Sequence, residues 1–433
     1  MSEEFNVTPG SEGIDPAFWR GLTQRRISRR DAMKVAGLGA GSSFLFANAA
    51  SGASLPNANV GNAKWWAKEK VHHQLNFANW PYYIDVLNGK HLSLEHFTKT
   101  TGIKVNYTEV IQDNSSFYSK IRPSLAAGQS TGYDIIVMTN NNPALGYLME
   151  LGWLVPLDHQ LMSNFKKYAG PLVKNPSWDP GNKYSMAWQS GWTAVGYNSK
   201  VIKNPGNSIE ILFDKKYKGQ VGMMADPFEL GHAGLLAIGV EPVKSTESDW
   251  AKAAKKLQQQ KSDGIVVAYY DQSYIGHLKN GDINISQAYS GDIFQANLNS
   301  KYKQLKLMLP HEGAMLWTDN MVIPLHAQNP RDAMMCMDFF YSPLTQAVVE
   351  YYNDYICPVP AARTELLHPT GWDAAALKKM APAIGLPTTV TANSPIVFPS
   401  AASIAVTRNY FQFKNQEEID AWNKLFLPIV QGA

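Results

Sequence analysis

Aromatic and acidic side chains recur together at four places in this 433-residue chain: Asn79-Trp80-Pro81-Tyr82-Tyr83, the pair Asp226 and Glu229, Tyr289 with Asp292, and Trp317 with Asp319. An aromatic face attracts an ammonium group within about 6 Å, and a carboxylate withdrawn from water pairs with that ammonium more strongly still. The combination is suited to holding a small organic cation, with acids selecting charge and rings lining the methylenes between charges. Enzyme machinery is missing from the pattern: there is no G-x-S-x-G elbow, H-E-x-x-H helix or P-loop. The two cysteines, Cys336 and Cys357, have no neighbouring histidine to activate them and do not form a zinc cluster. No catalytic residue, metal site or cofactor is therefore expected. His72 and His73 read as solvent-facing residues at the start of the fold.

Bulk composition agrees with a folded globular protein. Apolar residues make up 45% of the chain and charged residues 17%, which leaves little room for disorder. A formal net charge of +3 lacks the clustered positive field that nucleic acid requires. Near the start, Arg29 and Arg30 within 28–34 precede a weakly apolar run over 35–46 and Ala47-Asn48-Ala49. This arrangement predicts a twin-arginine export leader over 1–49, with small residues at the cleavage positions. The run is too short to span a bilayer, which takes roughly 20 apolar residues. Roughly 380 residues follow, enough for two lobes of ordinary size. No cysteine follows the leader to carry a lipid anchor, so a free, soluble, exported monomer is expected, periplasmic or extracellular. In an oxidising compartment Cys336 and Cys357 are open to a disulfide, or equally to two buried thiols.

The elements that must position the acids and rings alternate. The spacing predicts a strand over 74–79, a helix over 92–101 stopped by Gly102, and a strand over 103–108. A helix over 116–127 and a strand over 133–138 follow, the latter read as covered on both faces because 135–138 shows no polar alternation. The Pro- and Gly-rich passage 175–183 reads as a crossing between lobes. Beyond it the pattern predicts strands over 188–197, 221–225, 265–270, 283–289 and 321–324, with helices over 248–260 and 330–341. This is an α/β class, in which ligands bind at the carboxyl ends of strands. All four acidic and aromatic clusters fall at predicted strand ends.

From about Leu75 to Arg363 the chain resembles the extracytoplasmic spermidine/putrescine-binding proteins of ABC importers. The likeness is clearest in LNFANWPYY, FTKTTGIKVNYTEV, YDIIVMT, LMELGWLVPLD, AVGYNSKVI, WTDNMVIP and NDYICPVPAAR. It implies a two-lobed, type II periplasmic-binding-protein fold with the ligand cleft between lobes, lobe A over 71–183 plus 317–363 and lobe B over 184–316 plus 364–433. It also implies a polyamine or related small cation as ligand and a membrane ABC permease as partner. Carried over by position, the ligand-binding residues are Trp80 with Tyr82 and Tyr83 beside it, Thr139, Asn141, Asp226, Glu229, Tyr289, Trp317, Asp319 and Tyr355. Two departures from the family pattern stand out. Pro81-Tyr82 replaces Thr-Glu, and Tyr289 replaces a Trp, so one carboxylate is missing unless Asp292 or Asp271 compensates.

Other occupants of the same fold remain open: an amino-acid derivative, or a ferric ion drawn to Tyr82, Tyr83 and Tyr289. A phosphonate would need Arg or Lys at the candidate positions, which hold none. From another class, Asp226 and Glu229 resemble the acid pair of a secreted two-carboxylate hydrolase.

Overall fold

A computed structural model describes residues 59–271, 273–298 and 303–431; the expected leader over 1–49 lies outside them. The fold opens as the sequence predicts. Strand β1 (Gln74–Asn79) leads through the helix Leu92–Thr101 to β2 (Lys104–Glu109), and Gly102, at φ 75°, ends that helix by donating its N–H to the Thr98 carbonyl. Glycine tolerates this left-handed turn without a Cβ clash. The helix Asn114–Ala126 returns the chain to β3 (Ile135–Thr139), every residue of which is buried. β1 pairs in parallel with both β2 and β3.

A second parallel group is built from β5 (Val221–Met224), β6 (Val266–Tyr270) and β7 (Ile285–Tyr289), with β5 between the other two. The two groups are joined by long antiparallel strands, β4 (Ser185–Asn198) and β9 (Ala314–Val322). The path across the sheet is β2-β1-β3-β9-β4-β7-β5-β6. Two short strands flank it: β8 (Leu305–Met308) pairs with β4, and β10 (Thr407–Arg408) pairs with β9.

Burial resolves this sheet into two lobes. Met186, Ala187 and Trp188 at one end of β4 belong to the first apolar core, whereas Val195 near the other end belongs to the second. On β9, Met315 and Trp317 lie in the second core and Met321 and Val322 in the first. β4 and β9 are thus the segments that cross between lobes. The passage 175–183, expected to cross, does not: it closes on itself as a turn at Pro180–Asn182. There the Asn182 side chain accepts from the Asn175 N–H at 2.7 Å and donates to the Val173 carbonyl at 2.9 Å.

The C-terminal boundary also differs from the expectation that 364 onwards joins lobe B. Leu366, Ala376, Leu377, Met380, Ala392 and Val397 all pack in the first core. Only the last segment reaches the second, where Tyr410, Phe413, Trp422 and Phe426 are buried. The reason is local. The helix Pro343–Asn353 presents an apolar face that the helices Ala362–Leu367 and Trp372–Ile384 cover before the chain can leave. Cys336 and Cys357 are both free and buried in the first lobe. No helix among the described residues is long and apolar enough to cross a membrane.

Candidate functional site

Side chains two apart on a strand share a face, so β9 places Trp317 and Asp319 side by side, roughly 7 Å apart along the strand. Asp319 sits where that face passes from the second core to the first. It lies opposite Thr139 of β3 and Gln189 of β4. The Thr139 hydroxyl donates to Asp319 Oδ1 at 2.5 Å and the Tyr83 hydroxyl donates to Oδ2. Thr139 is held in turn by Asn114, which accepts from its backbone N–H at 2.9 Å and donates to its hydroxyl at 3.1 Å. A carboxylate that is 6% exposed and accepts from the neutral hydroxyls of Thr139 and Tyr83 is suited to receive a cation.

The second acidic centre is built at a helix start. Asp226 caps the helix Pro227–Ala237, accepting from the N–H groups of Phe228 and Glu229 at 2.8 and 2.9 Å, with Pro227 at the first helical position. An Asp cap with Pro behind it sets the entry angle of a helix and satisfies its free N–H groups. Glu229 then points inward, 1% exposed. The Tyr410 hydroxyl lies 2.7 and 2.8 Å from its two oxygens, and Asn141 Nδ2, from the opposite lobe, donates to Oε1 at 3.2 Å. A further link between lobes runs from the Tyr147 hydroxyl to Gln416 Oε1 at 3.2 Å.

Burial pushes the Glu229 carboxyl up to about 7, and the neighbouring Asp226 charge adds to this, while Tyr410, Asn141 and Thr193 oppose it. Asp226 moves the same way through loss of surrounding water, opposed by the amides of Glu229 and Phe228 that donate to it. Glu229 therefore binds more protons folded than unfolded between its ordinary 4.5 and about 7. Its contribution makes the ligand-free protein less stable as pH rises through that window, by on the order of 3 kcal/mol. Several other buried carboxyls shift in the same direction, so the difference between wild type and Glu229→Gln isolates this one. Denaturant titrations at pH 5 and pH 8 should show the variant losing markedly less stability than wild type between them.

A file of rings connects the two centres. Tyr289, whose phenol is raised first by burial and then by the nearby charges of Glu229, Asp226 and Asp292, meets Trp317 edge-on at 6.2 Å. Trp317 meets Tyr355 at 5.4 Å, and Tyr355 meets Tyr83 at 5.5 Å, whose hydroxyl holds Asp319. The indole of Trp317 lies across Gly191, its partner on β4; a Cβ there would stand 2.2 Å from the ring. Acid, rings and acid thus form one line, to which Tyr83, Thr139, Asn141, Glu229, Tyr289, Trp317, Asp319 and Tyr355 contribute, with Asp226 beside Glu229.

Trp80 and Tyr82 stand apart from this line. The Trp80 indole donates to the Val137 carbonyl of β3 at 3.2 Å and packs on the first core. Tyr82 is attached through its backbone N–H to Glu109 at 3.0 Å, with φ at 55°. Of the two proposed substitutes for the missing acid, Asp292 lies near enough to Tyr289 for its charge to act on that phenol. Asp271 is exposed and caps a turn through the Ser273 N–H, while Asp292 is held by the Tyr274 hydroxyl at 2.5 Å. Tyr83 and Tyr289 are separated by two rings, so the phenols do not converge as an iron site requires. Sequence reasoning missed Tyr410, Asn114 and Thr193. Only the aromatic run at 410–413 offered a signal for the first. A groove of about 420 Å³ lined by Pro171, Cys357, Arg363 and Phe398 lies elsewhere in the molecule. With no carboxylate in its lining, it lacks the chemistry for a cation.

Against known proteins, residues 93–379 match the family described as bacterial extracellular solute-binding protein. A putrescine/cadaverine-binding protein of Pseudomonas aeruginosa is 32% identical over 292 residues, covering 65% of this chain and 77% of that one. The spermidine/putrescine-binding periplasmic protein of Escherichia coli is 26% identical over 302 residues, 69% of this chain and 81% of its own. Among solved structures, the spermidine/putrescine ABC transporter substrate-binding protein PotD of Streptococcus pneumoniae superposes with a TM-score of 0.65 at 23% identity. The match spans 83% of this chain and 98% of that one, a likeness of fold.

Proposed function

The chain belongs to the bacterial extracellular solute-binding proteins, and from that premise we propose that it captures a linear polyamine between its lobes and delivers it to an ABC permease in the membrane. The observation that carries this reading is the line of rings between two acidic centres, Asp319 at one end and Glu229 with Asp226 at the other. A diamine has the same layout, charge at each end and methylenes between. Each ammonium would find a carboxylate already held by neutral donors, and the rings would cover the aliphatic segment. The named relatives that bind putrescine, cadaverine or spermidine support the same class. Trp80 and Tyr82, partly exposed on the loop after β1, would meet the ligand outside the line of rings.

Release would follow from opening about β4 and β9, the strands that cross between lobes, with rupture of the Asn141–Glu229 contact. The protein works as a carrier, without chemical conversion of its ligand, as an exported monomer whose twin-arginine leader directs it across the membrane. Titration calorimetry with putrescine and spermidine at pH 8 is the test. One-to-one binding of either is expected; folded protein that binds neither overturns the polyamine reading.

A further inference from the structure

The C-terminal segment, beyond the stretch that resembles the family, enters the site. Tyr410 is 1% exposed, and its hydroxyl reaches both oxygens of Glu229. A phenol has one proton to give, and with that proton committed to Glu229, Thr193 of β4 must be the donor in the 3.1 Å contact between its hydroxyl and the Tyr410 oxygen. A chain of donors thus runs from the crossing strand, through Tyr410, to the acid.

Tyr410 is itself held from below. His232, one turn beyond Glu229 on the same helix, lies 2.6 Å through Nδ1 from the Phe228 carbonyl and accepts the Phe411 N–H through Nε2 at 2.9 Å. These partners fix a neutral imidazole with its proton on Nδ1. Burial keeps it neutral by drawing its pKa down to about 4. The imidazole also meets the Tyr410 ring edge-on at 4.8 Å.

We propose that Tyr410, presented by the C-terminal segment and pinned through His232, is a positioning residue for ligand capture that holds the Glu229 carboxylate to receive an ammonium group. This rests on the polyamine reading and extends it, because it makes the proton on Glu229 a competitor of the ligand and Tyr410 the group that sets the contest. The charged and titratable groups facing Glu229 are Asp226 at its own helix start, Tyr289 from β7, and Tyr410, with neutral Asn141 and Thr193 completing the surround. Asp226 favours the proton; Tyr410, Asn141 and Thr193 favour its loss.

The test compares putrescine affinity from pH 5 to pH 9 in wild type, Tyr410→Phe, Glu229→Gln and the double variant. Wild-type affinity should rise with pH and level off above about 7, the value to which Glu229 is displaced. In Tyr410→Phe the levelling point should move up by about one pH unit, with affinity lowered roughly fivefold at pH 7 and roughly tenfold at pH 5. In the Glu229→Gln background Tyr410→Phe should add little, as expected when one residue acts only through the other. An unchanged levelling point in Tyr410→Phe, or an undiminished Tyr410 effect without Glu229, overturns the inference. A carboxyl titration of Glu229 by NMR without ligand gives an independent readout, with Tyr410→Phe expected to raise its midpoint. If wild type binds no polyamine, the functional reading fails, and this titration still decides whether Tyr410 governs Glu229.

Discussion

Asp319→Asn is expected to lower putrescine affinity at least roughly a hundredfold while leaving the fold intact, because removing one partner of a desolvated charge pair costs about 3–5 kcal/mol. The substitution retains side-chain volume, and the hydroxyls of Tyr83 and Thr139 that now donate to the carboxylate can turn to accept from an amide. Its neighbours on β3 and β4 are joined through backbone register, which the change does not touch. Calorimetry should therefore show lost binding beside an unaltered unfolding transition. A variant that binds as wild type would remove Asp319 from the site. A variant that no longer folds would show the carboxylate to be structural.

The second large effect concerns the platform beneath Glu229. Trp422→Ala is expected to destabilise the protein by about 3–5 kcal/mol, the usual range for emptying a large aromatic from a core. Trp422 is fully buried, flanked by Trp250 at 5.2 Å, Phe413 at 5.3 Å and Phe426 at 4.5 Å. It also fills the space that the missing side chain of Gly231 leaves: a Cβ there would lie 2.2 Å from the indole. Its Nε1 donates to the Pro227 carbonyl at 3.0 Å, at the start of the helix that Asp226 caps. The same cavity should thus loosen the acidic pair, lowering ligand affinity as well as the melting temperature, the latter by roughly 10 °C at a few degrees per kcal/mol. Trp372, which stacks on His96 at 4.2 Å and is only part-buried, gives the contrast. Its replacement by Ala should have a small effect on stability and none on binding. Equal losses from the two substitutions would show that the second core does not carry the stability assigned to it.

Local physics made much of the architecture legible. The helix over 92–101 was bounded correctly because Gly102 is the one residue type that adopts its left-handed turn without cost, and the apolar run before Thr139 could only be a strand covered on both sides. The acids and rings were equally visible as clusters at predicted strand ends, whereas the sharing of one strand face by Trp317 and Asp319 was not. The strand at 321–324 was seen only at its end. β9 begins at Ala314, and its first residues carry no alternation because both faces are buried in one lobe or the other.

Composition, alternation and capping by themselves determined the α/β class, the balance of charge and the residues able to hold a cation. These depend on contacts within a few residues, where periodicity and turn chemistry act. Tertiary structure alone decided that β4 and β9 rather than 175–183 join the lobes, that residues 364–397 return to the first core, and that Tyr410 closes over Glu229. Tyr410 and Glu229 are 181 positions apart and meet through one hydroxyl. No local preference encodes such a contact; it follows from how the last segment packs around Trp422 and His232 once the second core has formed.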